Sequence, residues 1–408
     1  MSTLALSLFV LAALLALAFI HPFVLYPLSL RMLKRMRPAP PLPRVADAPA
    51  RIAVLMCAYN EERWIEQKAE NLLALQRRDP RLELFVYVDG ATDRTAALLE
   101  PYADRMTIVV AAERHGKTFG MNTLVSRTDA DLIVFTDANV MLADDAIERL
   151  VVPFSDRRVG CVCGHMIYAN TGASATAATG GAYWRLEESI KQLESDTGSV
   201  MGADGALFSI RRALHRPPPP DIIDDMYVSL SILARGYRIV RAGDAIAREV
   251  SVASTREEFR RKIRIACQAF NVHRLLRGEL RGTGALNRYK YASHKVMRWF
   301  AIAFLAASLS CLLLGVAVAG FPKVALALVL TGAVVIGLAL VVRLPLVKSA
   351  TIRHANALRI DWNDVLPAQR CSYVLGNPPF VGSRFQTDEQ RVDLRLSSAN
   401  LRGSGVLD

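Results

Sequence analysis

Cysteine is scarce in this chain, and the six that occur fall into no metal-binding spacing. Cys161 and Cys163 lie on an alternating, strand-like run with no second pair nearby, which excludes a zinc framework, and Cys311 falls inside an apolar run. Reduced, structural thiols are the expected state in a cytoplasmic domain. No segment repeats another, so an array of stacked repeats is excluded as well. Charge is missing from three long stretches: Leu4–Ile20, Trp299–Phe321 and Val324–Val342 contain no Asp, Glu, Lys or Arg.

Those uncharged stretches predict membrane spans. With His21-Pro22 tolerated, the first continues to Leu30, longer than the roughly 20 residues a bilayer helix requires. A cleavable leader carries its positive charge before the apolar run; here Arg31, Lys34, Arg35 and Arg37 come after it, so the reading is an uncleaved anchor. The other two runs are divided by Pro322-Lys323 and bounded by Lys295, Arg298, Arg343 and Lys348, which predicts a transmembrane hairpin. Three spans put the amino terminus outside and residues 31–298, with the tail after 343, inside. The expected location is a bacterial-type inner (plasma) membrane, crossed several times, with the domain between the first two spans in the cytoplasm.

The formal net charge of +12 is unevenly placed, since residues 256–298 hold twelve Lys/Arg against three Glu. Beside a span, such a stretch reads as contact with anionic lipid headgroups rather than with nucleic acid; a solvated helical face is the alternative. The composition divides the chain into an anchor with a basic flank (1–37), a Pro-rich linker (38–50), a cytoplasmic domain (51–255), a basic membrane-interface segment (256–298), a hairpin (299–343) and a tail (344–408). Within the domain Pro217–Pro220 interrupts the pattern, and a helical run after Asp224-Asp225 stops at Gly236.

Four apolar stretches each run straight into polar residues: Ile52–Cys57 into Ala58-Tyr59-Asn60-Glu61-Glu62, Leu84–Val88 into Asp89-Gly90, Met106–Ala112 into Glu113–Lys117, and Leu132–Thr136 into Asp137-Ala138-Asn139. Short β-rich runs separated by helical patterns predict parallel strands, and in an open parallel sheet ligands bind beyond the carboxyl ends of the strands. The chemistry is expected at that rim.

Taken in order, Ala58-Tyr59-Asn60-Glu61-Glu62, Asp89-Gly90-Ala91-Thr92-Asp93, Gly116-Lys117 with Met121-Asn122, Thr136-Asp137-Ala138-Asn139 and Asp224-Asp225 resemble the family-2 glycosyltransferases over residues 51–298. The resemblance implies an α/β, GT-A-like nucleotide-sugar-binding domain with a mostly parallel central sheet, framed by three transmembrane helices. It implies an inverting transfer from a nucleoside-diphosphate sugar to a lipid-linked or polysaccharide acceptor. Tyr59 and Glu61 would then border base and ribose, Asp89 would hydrogen-bond one of them, and Lys117 would reach phosphate. Packing for Tyr59 and a first-turn place for Glu61, in a helix beginning near Asn60, are the plainer readings. Asp137 and Asn139 take the place of the family's DxD element, where Mg²⁺ or Mn²⁺ bridges diphosphate oxygens. An amide in the second place offers a carbonyl oxygen but removes a charge.

Direct displacement at an anomeric carbon needs a base on the acceptor hydroxyl. Asp225 matches the aspartate of the family's acidic pair with Asp224 beside it, and a neighbouring carboxylate raises proton affinity; helix capping is the competing reading. Gly202-Ala203-Asp204-Gly205 resembles the acceptor-side loop, with Asp204 a candidate for a sugar hydroxyl. Of the Gln-x-x-Arg-Trp element of processive relatives only Arg264 has a counterpart, so long-chain processivity is not expected. The tail Asn356–Leu394, through Asn377-Pro378-Pro379-Phe380, resembles an adenine-specific DNA methyltransferase, a motif suited to a flipped base. No glycine-rich loop for S-adenosylmethionine precedes it, so the expectation is a catalytically silent remnant or fusion without functional nucleic-acid binding. A DNA-modifying chain and a weakened, binding-only glycosyltransferase relative are the alternatives.

Overall fold

All four apolar stretches of the sequence pattern are strands of one sheet. In the computed structural model, which describes residues 2–40, 51–168, 175–220, 222–249 and 255–331, they are β1 (Ile52–Ala58), β2 (Leu82–Asp89), β3 (Thr107–Ala111) and β4 (Leu132–Asp137). Four further strands follow: β5 (Val140–Leu142), β6 (Val159–Tyr168), β7 (Leu207–Arg211) and β8 (Arg238–Glu249). The order is β3-β2-β1-β4-β7-β6-β8-β5. β1 pairs parallel with β2 and β4, β2 with β3, and β6 with β8; β7 runs antiparallel to both β4 and β6.

Both faces of the central strands are covered, which explains their unbroken apolar sequences. Along β1, Ile52, Val54 and Met56 enter one core with Leu72, Val86 and Val134, while Ala53 and Leu55 enter the other with Leu124, Phe135 and Phe208. Register then sets the rim: Cys57 lies opposite Asp137, and Asp89 opposite Ala111. β1, β2 and β4 therefore deliver their carboxyl-end residues to one side of the sheet.

Helices fill the connections. The first after β1 spans Ile65–Arg78, not a stretch starting near Asn60; Asn60 is held at φ 54°, a left-handed conformation that interrupts helix. The run after Asp224-Asp225 forms a helix over Asp224–Ala234, followed by Gly236 at φ 88°. The basic segment forms one long helix, Thr255–Arg281, followed by Ala285–Tyr291.

Among the described residues two helices, not three, are long and apolar enough to cross a membrane: the continuous 34-residue path Thr3–Met36 and Ala301–Val318. Apolar side chains such as Leu14 and Ile302 stand exposed on them. Of the expected third span, Pro322–Thr331 is helical and residues 332–342 lie outside the described residues. Linker residues 41–50 and the whole tail 344–408 lie outside them too. The chain divides into two compact units, residues 10–310 and residues 1–9 with 311–408.

Candidate active site

The rim is assembled by backbone before any side chain can act. Asp89, at the end of β2 and 2% exposed, accepts the His115 N–H on Oδ1 at 2.7 Å and the Gly116 N–H on Oδ2 at 2.9 Å. Its carboxylate thus anchors the turn that opens the helix Lys117–Val125. Gly90 next to it has φ 60°, and a Cβ there would stand 2.5 Å from the backbone of Glu113 and Arg114. Only glycine lets these two loops meet.

Lys117, the first residue of that helix, reaches across the rim. Its ammonium lies 2.7 Å from Asp137 Oδ1 and 3.8 Å from Asp224 Oδ2. Gly205 passes beside the same group: a Cβ there would be 2.9 Å from Asp225 Oδ2 and 3.5 Å from Lys117 Nζ. Four charged groups from three distant stretches of sequence therefore share one cluster. Lys117 and Asp137 keep 37% and 30% of their side chains exposed, so a ligand can reach them.

Electrostatics separates the members. Desolvation alone would lower the Lys117 ammonium, but Asp137 and then Asp224 more than reverse it, and its proton affinity is raised. Asp225 is pushed up to about 7, first by burial and then by Asp224, against the pull of Lys117. Glu61 also rises to about 7, by burial and the nearby charges of Asp137 and Asp93. Two carboxyl groups here titrate near neutrality, the range useful for proton transfer.

Around this centre, Tyr59 is half-buried and carries the Arg114 guanidinium over its ring at 3.9 Å. Asn60 Oδ1 accepts the Thr92 N–H at 2.8 Å, and Asp93 caps the following turn by accepting the Thr95 N–H at 2.9 Å. Asn139 donates from Nδ2 to Glu249 Oε1 at 3.3 Å, which leaves its carbonyl oxygen for another partner. Among the described residues no three His, Cys, Asp or Glu side chains form a metal cage. A carboxylate and an amide carbonyl are donor types that a hard divalent ion such as Mg²⁺ takes beside phosphate and water.

Two expected residues sit apart from the cluster's hydrogen bonds. Asp204 pairs with the Lys191 ammonium, itself 4% exposed and 3.1 Å from Glu188, although its charge still raises Asp225. Arg264 is exposed on the helix Thr255–Arg281, with no contact to Lys117 or the aspartates among the described interactions. A residue missed in the sequence is Lys68, fully buried behind β4, donating to Thr136 Oγ1 at 3.1 Å and to the Val140 carbonyl. Burial lowers it to about 7 while Asp137 opposes the shift. Its signal was positional: Lys68 falls three residues after Ile65 and four before Leu72, on the apolar face of its helix.

Residues 53–216 match the family described as Glycosyl transferase family 2, and residues 328–408 match MmeI, DNA-methyltransferase domain. An N-acetylglucosaminyltransferase of Bradyrhizobium diazoefficiens is 24% identical over 236 residues, covering 54% of this chain and 49% of that protein. One of Mesorhizobium japonicum is 25% identical over 248 residues, covering 56% of this chain and 58% of that one. The chain thus spans about half the length of the curated relatives it matches. Among solved structures, a mannosyltransferase from Pyrobaculum calidifontis in complex with GDP-Man and Mn²⁺ superposes with a TM-score of 0.62 at 24% identity, over 80% of this chain and 92% of that one. The shared fold is GT-A-like, with a mostly parallel sheet.

Proposed function

We propose that this chain is an inverting, metal-dependent glycosyltransferase that moves a sugar from a nucleoside diphosphate to a lipid-linked or polysaccharide acceptor at a membrane. The observation that carries the reading is the meeting of Asp137, Asp224 and Asp225 around the Lys117 ammonium at the carboxyl rim of the sheet. A leaving diphosphate needs positive charge on one side, and an attacking hydroxyl needs a base on the other. Lys117 supplies the first and Asp225, about half protonated at pH 7 and increasingly free above it, the second. Asp137 and the Asn139 carbonyl would hold Mg²⁺ or Mn²⁺, which would supply further positive charge for the diphosphate. Tyr59, Arg114 and Glu61 border the base and ribose, with Asp89 fixing the loop that faces them. Asp204 and Asp224 remain the candidates for sugar hydroxyls, and Arg264 for the diphosphate.

Membrane attachment through Thr3–Met36 and Ala301–Val318, with Thr255–Arg281 against anionic headgroups, keeps a lipid-linked acceptor near the site. The tail from residue 328 is proposed to be catalytically silent; methyl transfer to DNA from labelled S-adenosylmethionine, above background, would overturn that.

A second reading rests on the 2.7 Å separation of Lys117 and Asp137: the ammonium alone neutralises the diphosphate and no metal is needed. Hydrolysis of a panel of UDP- and GDP-sugars, with Mn²⁺ or with chelator, decides between the two. Turnover that stops in chelator and returns with metal supports the leading reading, undiminished turnover supports the second, and no turnover of any donor removes both.

A further inference from the structure

A separate group of buried ionisable side chains lies where Tyr26–Met36, the helix Ala175–Asp196 and residues 285–299 meet. Glu194 is fully buried; its Oε1 accepts the Tyr26 hydroxyl at 2.5 Å and lies 2.8 Å from His294 Nδ1, and its Oε2 accepts the Met201 N–H at 3.0 Å. His294, 1% exposed, has its other nitrogen 2.8 Å from Glu187, which also pairs with Arg298. Burial alone would raise both glutamates, but His294 in each case reverses it and they stay below the usual carboxylate range. Each His294 ring nitrogen thus faces a carboxylate oxygen. Lys290, fully buried, donates to the Glu194 carbonyl at 2.8 Å and the Ser199 carbonyl at 3.3 Å.

Buried ion pairs contribute little net stability, and their best-attested use is to fix one arrangement over others. Here the arrangement leads to the active site. Beyond Met201, the Ala203 N–H donates to Ser229 Oγ at 3.0 Å, and Ser229 in turn donates to the Asp225 carbonyl at 2.6 Å. Two residues further on, Gly205 lies against the Asp225 carboxylate.

We propose that Glu194 is a positioning residue: held by Tyr26 and His294, it sets backbone 199–205 against Asp225, so that the first apolar helix is part of the catalytic assembly and not only a tether. This rests on the reading of Asp225 as the base. A tether needs no hydroxyl at residue 26 and no buried carboxylate gripping an amide in the acceptor-side loop.

The test uses the full chain in detergent with Tyr26→Phe, Glu194→Gln and, as a control that contacts the same apolar helix, Ser308→Ala, which removes the 2.8 Å bond to the Ala12 carbonyl. Amide hydrogen exchange over residues 199–205 is read beside turnover of whichever UDP- or GDP-sugar the wild type hydrolyses fastest. Tyr26→Phe and Glu194→Gln should speed exchange and lower kcat, each by about tenfold, the worth of one hydrogen bond, with donor KM within about twofold and the control unchanged. Unchanged exchange in Tyr26→Phe, or a loss that falls on donor KM instead of kcat, would overturn the proposal. Tyr26→Phe deletes a single oxygen and keeps the test open if Glu194→Gln does not fold. If the wild type hydrolyses no donor, the functional reading fails, while the exchange measurement still decides whether Tyr26 holds the loop.

Discussion

In the proposed reading, Asp225 is the residue on which the chemistry turns. Because its proton affinity is raised to about 7, the base form appears only as pH rises, so the transfer rate should climb through about pH 7 and then level. Asp225→Asn should cost about 10²- to 10⁴-fold in turnover, the usual worth of a positioned base, with donor binding retained. Linkage gives an independent check. A carboxyl group raised from 3.8 binds its proton more tightly folded than unfolded, so it stabilises the fold at low pH relative to high pH. The stability of Asp225→Asn relative to wild type should therefore rise between pH 4 and pH 8; thermal melts showing no such trend would contradict the assignment. Lys117→Ala removes the cation proposed to face the diphosphate and should weaken donor binding by about ten- to hundredfold, as loss of a hydrogen bond to a charged group does; calorimetric titration with UDP or GDP reads it. Lys117, Asp137 and Asp225 were legible in the sequence because each stands at the edge of an apolar run or a helix. Lys68 and the Arg114 contact with Tyr59 were not, since both depend on which strand lies beside which loop.

Among elements, the strands that carry the site were plain in the sequence and the ones that close the sheet were not. β1, β2 and β4 are apolar on both faces and run into polar residues, a pattern that buried parallel strands impose, whereas β3 is apolar in sequence but sits half-exposed at the sheet edge. The antiparallel pairing of β7 with β4 and β6 depends on long connections whose return direction no local pattern encodes. The loop before β7 shows the same limit: nothing local in the sequence singles out Gly205, yet in space it is where the chain passes Asp225. A methyl group there would meet Asp225 Oδ2 at 2.9 Å, closer than real Cβ contacts come. Gly205→Ala should lower kcat by about tenfold or more while leaving the fold's melting temperature nearly unchanged, because roughly 1.4 kcal/mol of displacement at a reacting group already costs a factor of ten. Unaltered kcat would show that Asp225 does not work from this position.

At the scale of the whole chain, the sequence resemblance over residues 51–298 narrows to a family match over 53–216, and the tail resemblance begins at residue 328. Long apolar helices were legible because length and hydropathy suffice to find them; of the three expected, two reach membrane-crossing length among the described residues. The basic helix Thr255–Arg281 exposes Ile263 and Phe270 as well as arginines, the mixture expected at a lipid surface. Retention of the full chain on anionic over zwitterionic vesicles should therefore weaken as salt rises, and indifference to salt would remove the headgroup reading. The most direct test of the central claim is calorimetric binding of UDP or GDP, each with Mn²⁺, to wild type, Asp137→Ala and Asp225→Asn. Metal-dependent binding lost in Asp137→Ala and kept in Asp225→Asn is the predicted result; Asp137→Ala binding as tightly as wild type would contradict it.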